Sequence, residues 1–352
     1  MQFLITVLQS FFTAAFFRAA VTQGMPLLFG ATGEILTEKS GHLNLGLPGI
    51  MYMGGIGGLI GGFLYENAVA TSAAAAGITA APNPYISVAI CFICAFIAAV
   101  LGGLIYCVLT VTFRANQNVS GLALTTFGVG LGNFMGGSIM KLTGKTGQIT
   151  VYFTGKAFKE CLPFVESEFV VNNPFLNGIC TMFFSYGFLT YLALAIAIFA
   201  GWFLAKTRIG LNLRAIGESP ATADAASIPV DRYKYITTCL GAGIAGLGGL
   251  YFVMEYMGGT WQNDAFGDRG WLAIALVIFA RWKPGNAIWG SILFGGLYML
   301  YTRLPIANAT QEFFKMLPYV VTMIVLIITS FRKKREDQPP ASLGIAYFRE
   351  ER

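Results

Sequence analysis

Two polar clusters interrupt an otherwise apolar chain and hold most of its chemically capable side chains. The first lies in GATGEILTEKSGHLNLGLPGIMYMGG, Gly30 to Gly55, where Glu34, Glu38, Lys39, His42 and Asn44 stand between two apolar stretches. The second lies between Glu255 and Gly290, where Trp261, Gln262, Asn263, Asp264, Asp268 and Arg269 precede a brief apolar run ending at Arg281-Trp282-Lys283-Pro284. An ionisable group such as Glu34 within an apolar run is a functional candidate. Gly41, Gly46, Pro48 and Gly49 interrupt the first cluster, and helices broken at membrane depth persist only where the backbone lines a cavity or is buried in protein. The two clusters therefore read as interrupted elements beside a translocation path, with Glu34, Asn44, Trp261 and Asn263 as the residues facing it. A solute with apolar and polar parts is served by apolar walls carrying a few fixed polar groups. The plainer alternatives are that Glu34 and Lys39 satisfy each other or nearby loop amides, and that Asp268 pairs with Arg269 at an outer mouth.

Covalent chemistry finds little support. The chain has no G-x-x-x-x-G-K-[ST], so no phosphate-cradling loop of that type, and any Ser-His-Asp set would rest on His42, the one histidine. Glu34 and Glu255 are the only conceivable carboxylate pair for an intramembrane protease. The six cysteines make no metal framework: Cys91 and Cys94 form a C-x-x-C inside an apolar run with no second pair. They read as buried thiols acting as small hydrophobes. Cys161 and Cys180 flank a polar loop and would pair only on an oxidising side.

The elements that must hold these clusters are membrane helices. The 352 residues are 55% hydrophobic and 11% charged, with mean hydropathy +0.65, whereas soluble domains carry about 25% charged residues. Apolar runs long enough to cross a bilayer lie near 3–22, 47–65, 85–113, 118–140, 184–205, 235–255, 286–303 and 312–331, with shorter ones near 24–37 and 270–281. The first run lacks a positive n-region and a small-residue cleavage site, and reads as a retained span. The fold class is all-α, a polytopic bundle of about ten transmembrane helices, two of them short or re-entrant. With the N-terminus inside, fifteen of the 23 Lys and Arg fall on inside segments and eight outside, which agrees with the positive-inside rule and places both termini in the cytoplasm. The net charge of +6 carries no basic run interleaved with aromatics apart from the tail, so nucleic acid is not an expected partner.

On this topology the polar island 206–234 is cytoplasmic. Within it Ser219 is a helix cap, Pro220 suits the first helical position, Ala221 to Ala226 favour continuation, and Pro229 is a stop. Such a short helix is unstable alone in water and suits docking into a groove on another protein. The external excursion 141–183 reads equally as short amphipathic helices on the membrane or as a landing surface for an external protein. The series Gly54, Gly58, Gly62, then Gly128, Gly132, Gly136, then Gly241, Ala245, Gly249 each mark one helix face for close backbone packing. The segment 332–352 is a basic cytoplasmic tail, expected to be solvated.

Four blocks, GEILTEKSGHLNLGLPGIMYMGG (33–55), NQNVSGLALTTFGVGLGNF (116–134), TRIGLNLRAIGESPATADAASIPV (207–230) and GDRGWLAIALVIFARWKPGNAIWG (267–290), resemble in order the permeases of ABC importers of the branched-chain amino acid/ribose group. The nearest branch is the nucleoside type that works with a basic-membrane-protein lipoprotein. The resemblance implies one permease domain over 1–331 in a bacterial cytoplasmic membrane. It also implies a coupling helix in 217–228, with Glu218, Ser219, Pro220, Ala221, Ala223 and Ala225 meeting a separate ATPase. Further implied partners are a second permease, identical or homologous, an external substrate-binding lipoprotein and membrane lipid. ATP and Mg would sit on the ATPase, with no cofactor or metal in this chain. Nucleosides are the implied cargo, and similar permeases carry sugars or flavins. His42, Pro48 and Ser219 depart from the family's commoner residues. Two other classes stay open: an ion- or proton-coupled transporter, which needs more ionisable groups within spans than Glu34, and a scaffold subunit.

Overall fold

The computed structural model describes residues 13–77, 81–142, 148–303, 316–332 and 338–348. Helices α1 (Ala14–Glu38), α2 (Leu47–Ala75), α3 (Pro84–Cys107) and α4 (Gln117–Leu142) come first. The short helices α5 (Tyr152–Lys159), α6 (Glu168–Val171) and α7 (Pro174–Phe183) follow. Then come α8 (Phe188–Lys206), α9 (Arg208–Glu218), α10 (Pro220–Ala225) and α11 (Val230–Tyr251). Helices α12 (Arg269–Phe279), α13 (Pro284–Arg303) and α14 (Leu317–Arg332) complete the order. Helices α3 and α11 each end in one π turn, Val108–Thr112 and Phe252–Tyr256.

Among the described residues five helices are long and apolar enough to cross a membrane: α2, α3, α4, α8 and α11. Helices α2 and α11 are the interior pair, 83% and 78% buried over their apolar windows, against 28–33% for α3, α4 and α8. On α3 the exposed residues Ile93, Ile97, Leu101 and Leu104 recur at helical spacing and form an apolar outer stripe of the kind lipid solvates. The chain is a multi-pass, all-α membrane protein. The shorter apolar helices Arg269–Phe279 and Leu317–Ile328 do not reach bilayer length.

The separate runs 3–22 and 24–37 do not appear as two crossings. Over the described residues they are one helix, α1, unbroken from Ala14 through Gly24 and Pro26 to Glu38. Pro26 removes one backbone donor, but α1 is buried at nearly every residue from Ala20 onward. Gly24 sits so close to the Ser291 backbone of α13 that a Cβ would collide with it. Tight packing on several sides outweighs a break at Gly24–Pro26. Residues 1–12 of the first run lie outside the described residues.

The glycine faces are packing seams, as their spacing suggests. Gly54 of α2 abuts Gly246 of α11, Gly128 of α4 abuts Gly49, Gly241 abuts Gly33 of α1, and Gly249 abuts Met51. Gly132 and Gly136 instead make room for the ring of Trp261.

The excursion after α4 folds into short helices with exposed aromatics, Phe153, Phe169 and Phe175 among them. It is tied to the second polar cluster by the Val151 amide donating to Gly259 at 2.8 Å and the Trp261 amide donating to Ile149 at 3.0 Å. Cys161 and Cys180 are not joined in a disulfide.

The expectation of a solvated tail fails for Gln338–Phe348, which packs back onto the island and the first cluster. The basic residues at 333–335, Arg349 and Arg352 lie outside the described residues, as do Lys145, Lys315 and the remainder of 304–315.

Candidate functional site

The structure resolves the four proposed path residues into two pairs. The Glu34 carboxylate, 1% exposed near the end of α1, accepts from the Asn44 amide at 3.0 Å. The Asn44 side-chain oxygen in turn accepts from the Gly46 amide at 3.0 Å. Glu34 therefore holds a loop amide, the plainer of its two sequence readings, and fixes the break between α1 and α2. Four residues on, Glu38 accepts from the Trp282 indole N–H. Trp282 and Arg281 both occupy left-handed backbone, φ +53° and +55°, which costs about 1–3 kcal/mol per residue. The strained turn after α12 is thus held to the foot of α1.

His42 joins three elements from within the α1–α2 loop. Its Nε2 lies 2.8 Å from the Thr110 hydroxyl and its Nδ1 lies 2.9 Å from the Thr238 hydroxyl. Thr110 spends its proton on the Tyr106 carbonyl at 2.7 Å, so it accepts from Nε2–H and Thr238 donates to Nδ1. This places a neutral ring between α3 and α11. Burial, reinforced by Lys234, pushes the imidazole down to about 3.

The second pair lies farther along α2. The Trp261 indole N–H donates to the Asn263 side-chain oxygen at 3.2 Å; Trp261 is buried and Asn263 exposed. The Tyr52 ring stands edge-on to Trp261 at 6.1 Å and to Phe266 at 5.4 Å. With Met51, Phe252 and Gln262 these rings line a narrow cavity between α2 and the 257–268 segment. Asn133 of α4 clasps that segment from outside: its amide nitrogen donates to the Asp264 carboxylate at 2.8 Å and its oxygen accepts the Asp264 amide at 3.3 Å.

Arg269 turns inward and does not serve as the outer-mouth partner for Asp268. Its guanidinium lies over the rings of Phe252, Tyr298 and Tyr256 at 4.5, 4.9 and 5.3 Å. It also donates to the Ala265 and Phe266 carbonyls at 3.1 and 3.0 Å. A cation over several rings in a dry site is strongly held, so Arg269 rivets the polar segment to α12. Glu34 and Glu255 do not form a carboxylate pair. Gly33 packs at Gly241, and Glu255 lies about 20 Å farther along α11 at 1.5 Å per residue.

The island folds as its residue types suggest. Helix α10 spans Pro220–Ala225, the Ser219 side chain accepts from the Thr222 amide at 3.4 Å, and Ser227 ends the turn at φ +63°. Glu218, Ala221 and Ala225 are exposed, while Ser219 and Pro220 are half-buried. Ala223 differs: it is buried, packed with Ile216 and Val230, and anchors α10 instead of facing outward. The preceding helix α9 was not foreseen. Its signal is the i, i+3, i+6 spacing of Gly210, Leu213 and Ile216, all buried, with Thr207 as cap at 3.0 Å from the Gly210 amide.

The tail joins the island to the first cluster. Ser342 donates through its amide and hydroxyl to Gly217, the Gly344 amide donates to Gly41 at 3.2 Å, and the Tyr347 hydroxyl donates to Asp224 of α10 at 2.9 Å. Arg114, between α3 and α4, lies 5.0 Å from the Phe348 ring centroid. These bonds tie α10 and the end of α9 through the tail to Gly41 in the α1–α2 break.

Residues 17–326 match the family model described as the permease component of the branched-chain amino acid transport system. The nucleoside ABC transporter permease protein NupC of Lactococcus lactis is 30% identical over 86% of this chain and 88% of its own. The guanosine ABC transporter permease protein NupQ of Bacillus subtilis is 28% identical over 95% of this chain and 96% of its own. A putative glucose ABC transporter permease protein, TsgC13 of Haloferax volcanii, is 29% identical over 83% of this chain and 78% of its own. No solved structure matches. With the match running from α1 into α14, the chain belongs to the permease family of branched-chain amino acid-type transport systems and is a transport subunit.

Proposed function

We propose that the chain is the membrane permease of an ATP-driven importer of nucleosides, resident in a bacterial cytoplasmic membrane. The observation that carries this reading is the short capped helix α10, whose exposed Ala221 and Ala225 offer a small-residue knob between two membrane helices. A separate ATPase would grip that knob, and ATP and Mg would bind there. The bundle would make fewer than ten passes, since α1 is one helix and α12 an incomplete crossing, with the foot of α1, the island and the tail on the ATPase side and the start of α1 on the other. A second permease and an external binding lipoprotein would complete the assembly.

On this reading the ATPase moves α10, and the move reaches the gate by two routes. One runs through α11 to the His42 bridge at Thr238. The other runs through the tail to Gly41. On the opposite side a docked binding protein would press on α5–α7, whose backbone bonds to Gly259 and Trp261 lead to the aromatic cavity. The cavity has only about 10 Å³ of free volume in this state, so it would have to widen before a flat base could meet Tyr52, Trp261 and Phe266 by edge and face contacts, with Gln262 at its polar edge. The nucleoside reading also draws on the names of the Lactococcus and Bacillus relatives; the Haloferax name favours a sugar. Vesicles holding this permease with its ATPase facing the lumen and binding protein outside should take up labelled nucleoside only with ATP inside. Uptake of glucose in preference to nucleosides would reject the cargo assignment. Uptake driven by a proton gradient with no ATPase would reject the class.

A further inference from the structure

A cavity of about 770 Å³ lies beside the island, at the foot of α8 and α13. Its walls divide by chemistry. Gly201, Leu204 and Ala205 come from the last turns of the membrane helix α8, and Pro284 and Gly285 from the first turn of α13. Lys39, Arg214 and Lys283 enter from three separate elements, with Glu218 the carboxylate among the described lining residues. An apolar slot that ends in cations at a membrane–water boundary matches a lipid with an anionic headgroup, because basic pockets between membrane helices bind such headgroups.

The electrostatics show that these cations share one space. Lys39 is half-buried, and its ammonium is held below the usual lysine range first by that burial. Glu218 pushes back upward, while Arg214 and Lys283 lower it further. A phosphate placed among the three would meet N–H donors from three separate elements. The volume falls within the roughly 300–1,000 Å³ typical of small-molecule sites, enough for a headgroup and glycerol. Trp202 on α8 follows the lining residue Gly201 by one position and Trp289 on α13 follows Gly285 by four; both indoles are exposed, and tryptophan is enriched at the level of lipid headgroups.

We propose that the cavity bounded by Lys39, Arg214 and Lys283 holds the phosphate headgroup of an anionic phospholipid, with its glycerol end against Leu204 and Ala205. The lining comes from this chain alone, so the site can be assayed in the isolated permease. The test is native mass spectrometry of the full chain released from nanodiscs of phosphatidylcholine doped with phosphatidylglycerol. The wild type should keep phosphatidylglycerol selectively. Retention should fall by about tenfold or more in Arg214→Gln/Lys283→Gln, since each cation near an anionic lipid contributes measurably. The control Arg208→Gln/Arg232→Gln removes two exposed island charges outside the cavity and should retain the lipid. Lys283→Gln alone, at an exposed position, gives an intermediate loss if the double variant unfolds. Equal retention of both lipids, or equal loss in test and control variants, overturns the proposal. Displacement of the lipid by millimolar inorganic phosphate assigns the cations to a free anion and overturns the lipid assignment.

Discussion

The Ser342 hydroxyl lies 2.6 Å from the Gly217 carbonyl oxygen, and the Ser342 amide reaches the same oxygen at 3.0 Å. The final carbonyls of a helix lack intrahelical partners, and here a residue 125 positions away supplies two donors. The contact sets the end of α9, and with it the start of α10, against Gly41 and the foot of α1. Ser342→Ala should lower stability by about 0.5–1.5 kcal/mol, the worth of one net hydrogen bond. Ser342→Pro removes the amide donor as well and should cost more. Thermal unfolding in detergent compares the two, and an unchanged midpoint for both would mean the tail is not held there.

Helix packing gives a paired contrast within α4. A Cβ on Gly128 would strike the Gly49 backbone, whereas a Cβ on Gly130 meets nothing within 4 Å. Gly128→Ala should destabilise by about 1–3 kcal/mol, as overpacking does. Gly130→Ala should be neutral or stabilise by up to about 1 kcal/mol, the helix preference of alanine over glycine. Equal effects on melting would reject the close α2–α4 seam.

The His42 bridge makes a pH prediction with a definite sign. The imidazole is held down at about 3 by burial, against an unfolded value near 6.5. Between those values the unfolded chain binds the additional proton. The contribution of this site is therefore complete above about pH 6.5 and declines as pH falls toward about 3, by roughly 1.4 kcal/mol per unit. Melting of the wild type should drop between pH 7.5 and pH 5, and His42→Gln should show a smaller drop. Parallel pH profiles for the two proteins would contradict the buried neutral ring.

On the proposed function, the aromatic cavity would link packing to transport. Trp261→Ala removes the ring seated on Gly132 and Gly136 and should cost about 3–5 kcal/mol as a large core truncation. Trp261→Phe keeps a flat ring but loses the bond to Asn263. Uptake per folded permease should fall strongly for the alanine variant and modestly for phenylalanine. If phenylalanine and alanine variants transport equally, the ring plays no part in the path.

Much of this architecture was legible in residue types. The long apolar runs, the Ser219–Pro220 start of α10 and the every-fourth-residue glycines each carry a local physical signature, and each leads to an element in the structure. Local signals ran out where long-range packing decided the outcome. Gly24 and Pro26 look like a break but lie inside α1, because α13 and α11 enclose that stretch. Ala223 is as small as Ala221 and Ala225, so only the fold tells the buried one from its neighbours. Nothing local to Glu34 told that one of its oxygens would hold the Asn44 amide ten residues on. Tyr52, in its glycine-rich run, gave no sign that it would meet Trp261. The polar tail carried too few apolar residues to suggest that Ser342 and Tyr347 would clamp the island.

Ala225 is exposed on α10, the helix through which we propose that an ATPase exerts force. Ala225→Arg leaves the buried Ala223 anchor in place, so the variant should melt like the wild type. The measurement is co-purification of the partner ATPase with the variant, followed by hydrolysis in response to substrate-loaded binding protein. Loss of co-purification and of the substrate response is the expected result. Full co-purification with an undiminished response would show that α10 does not carry the coupling.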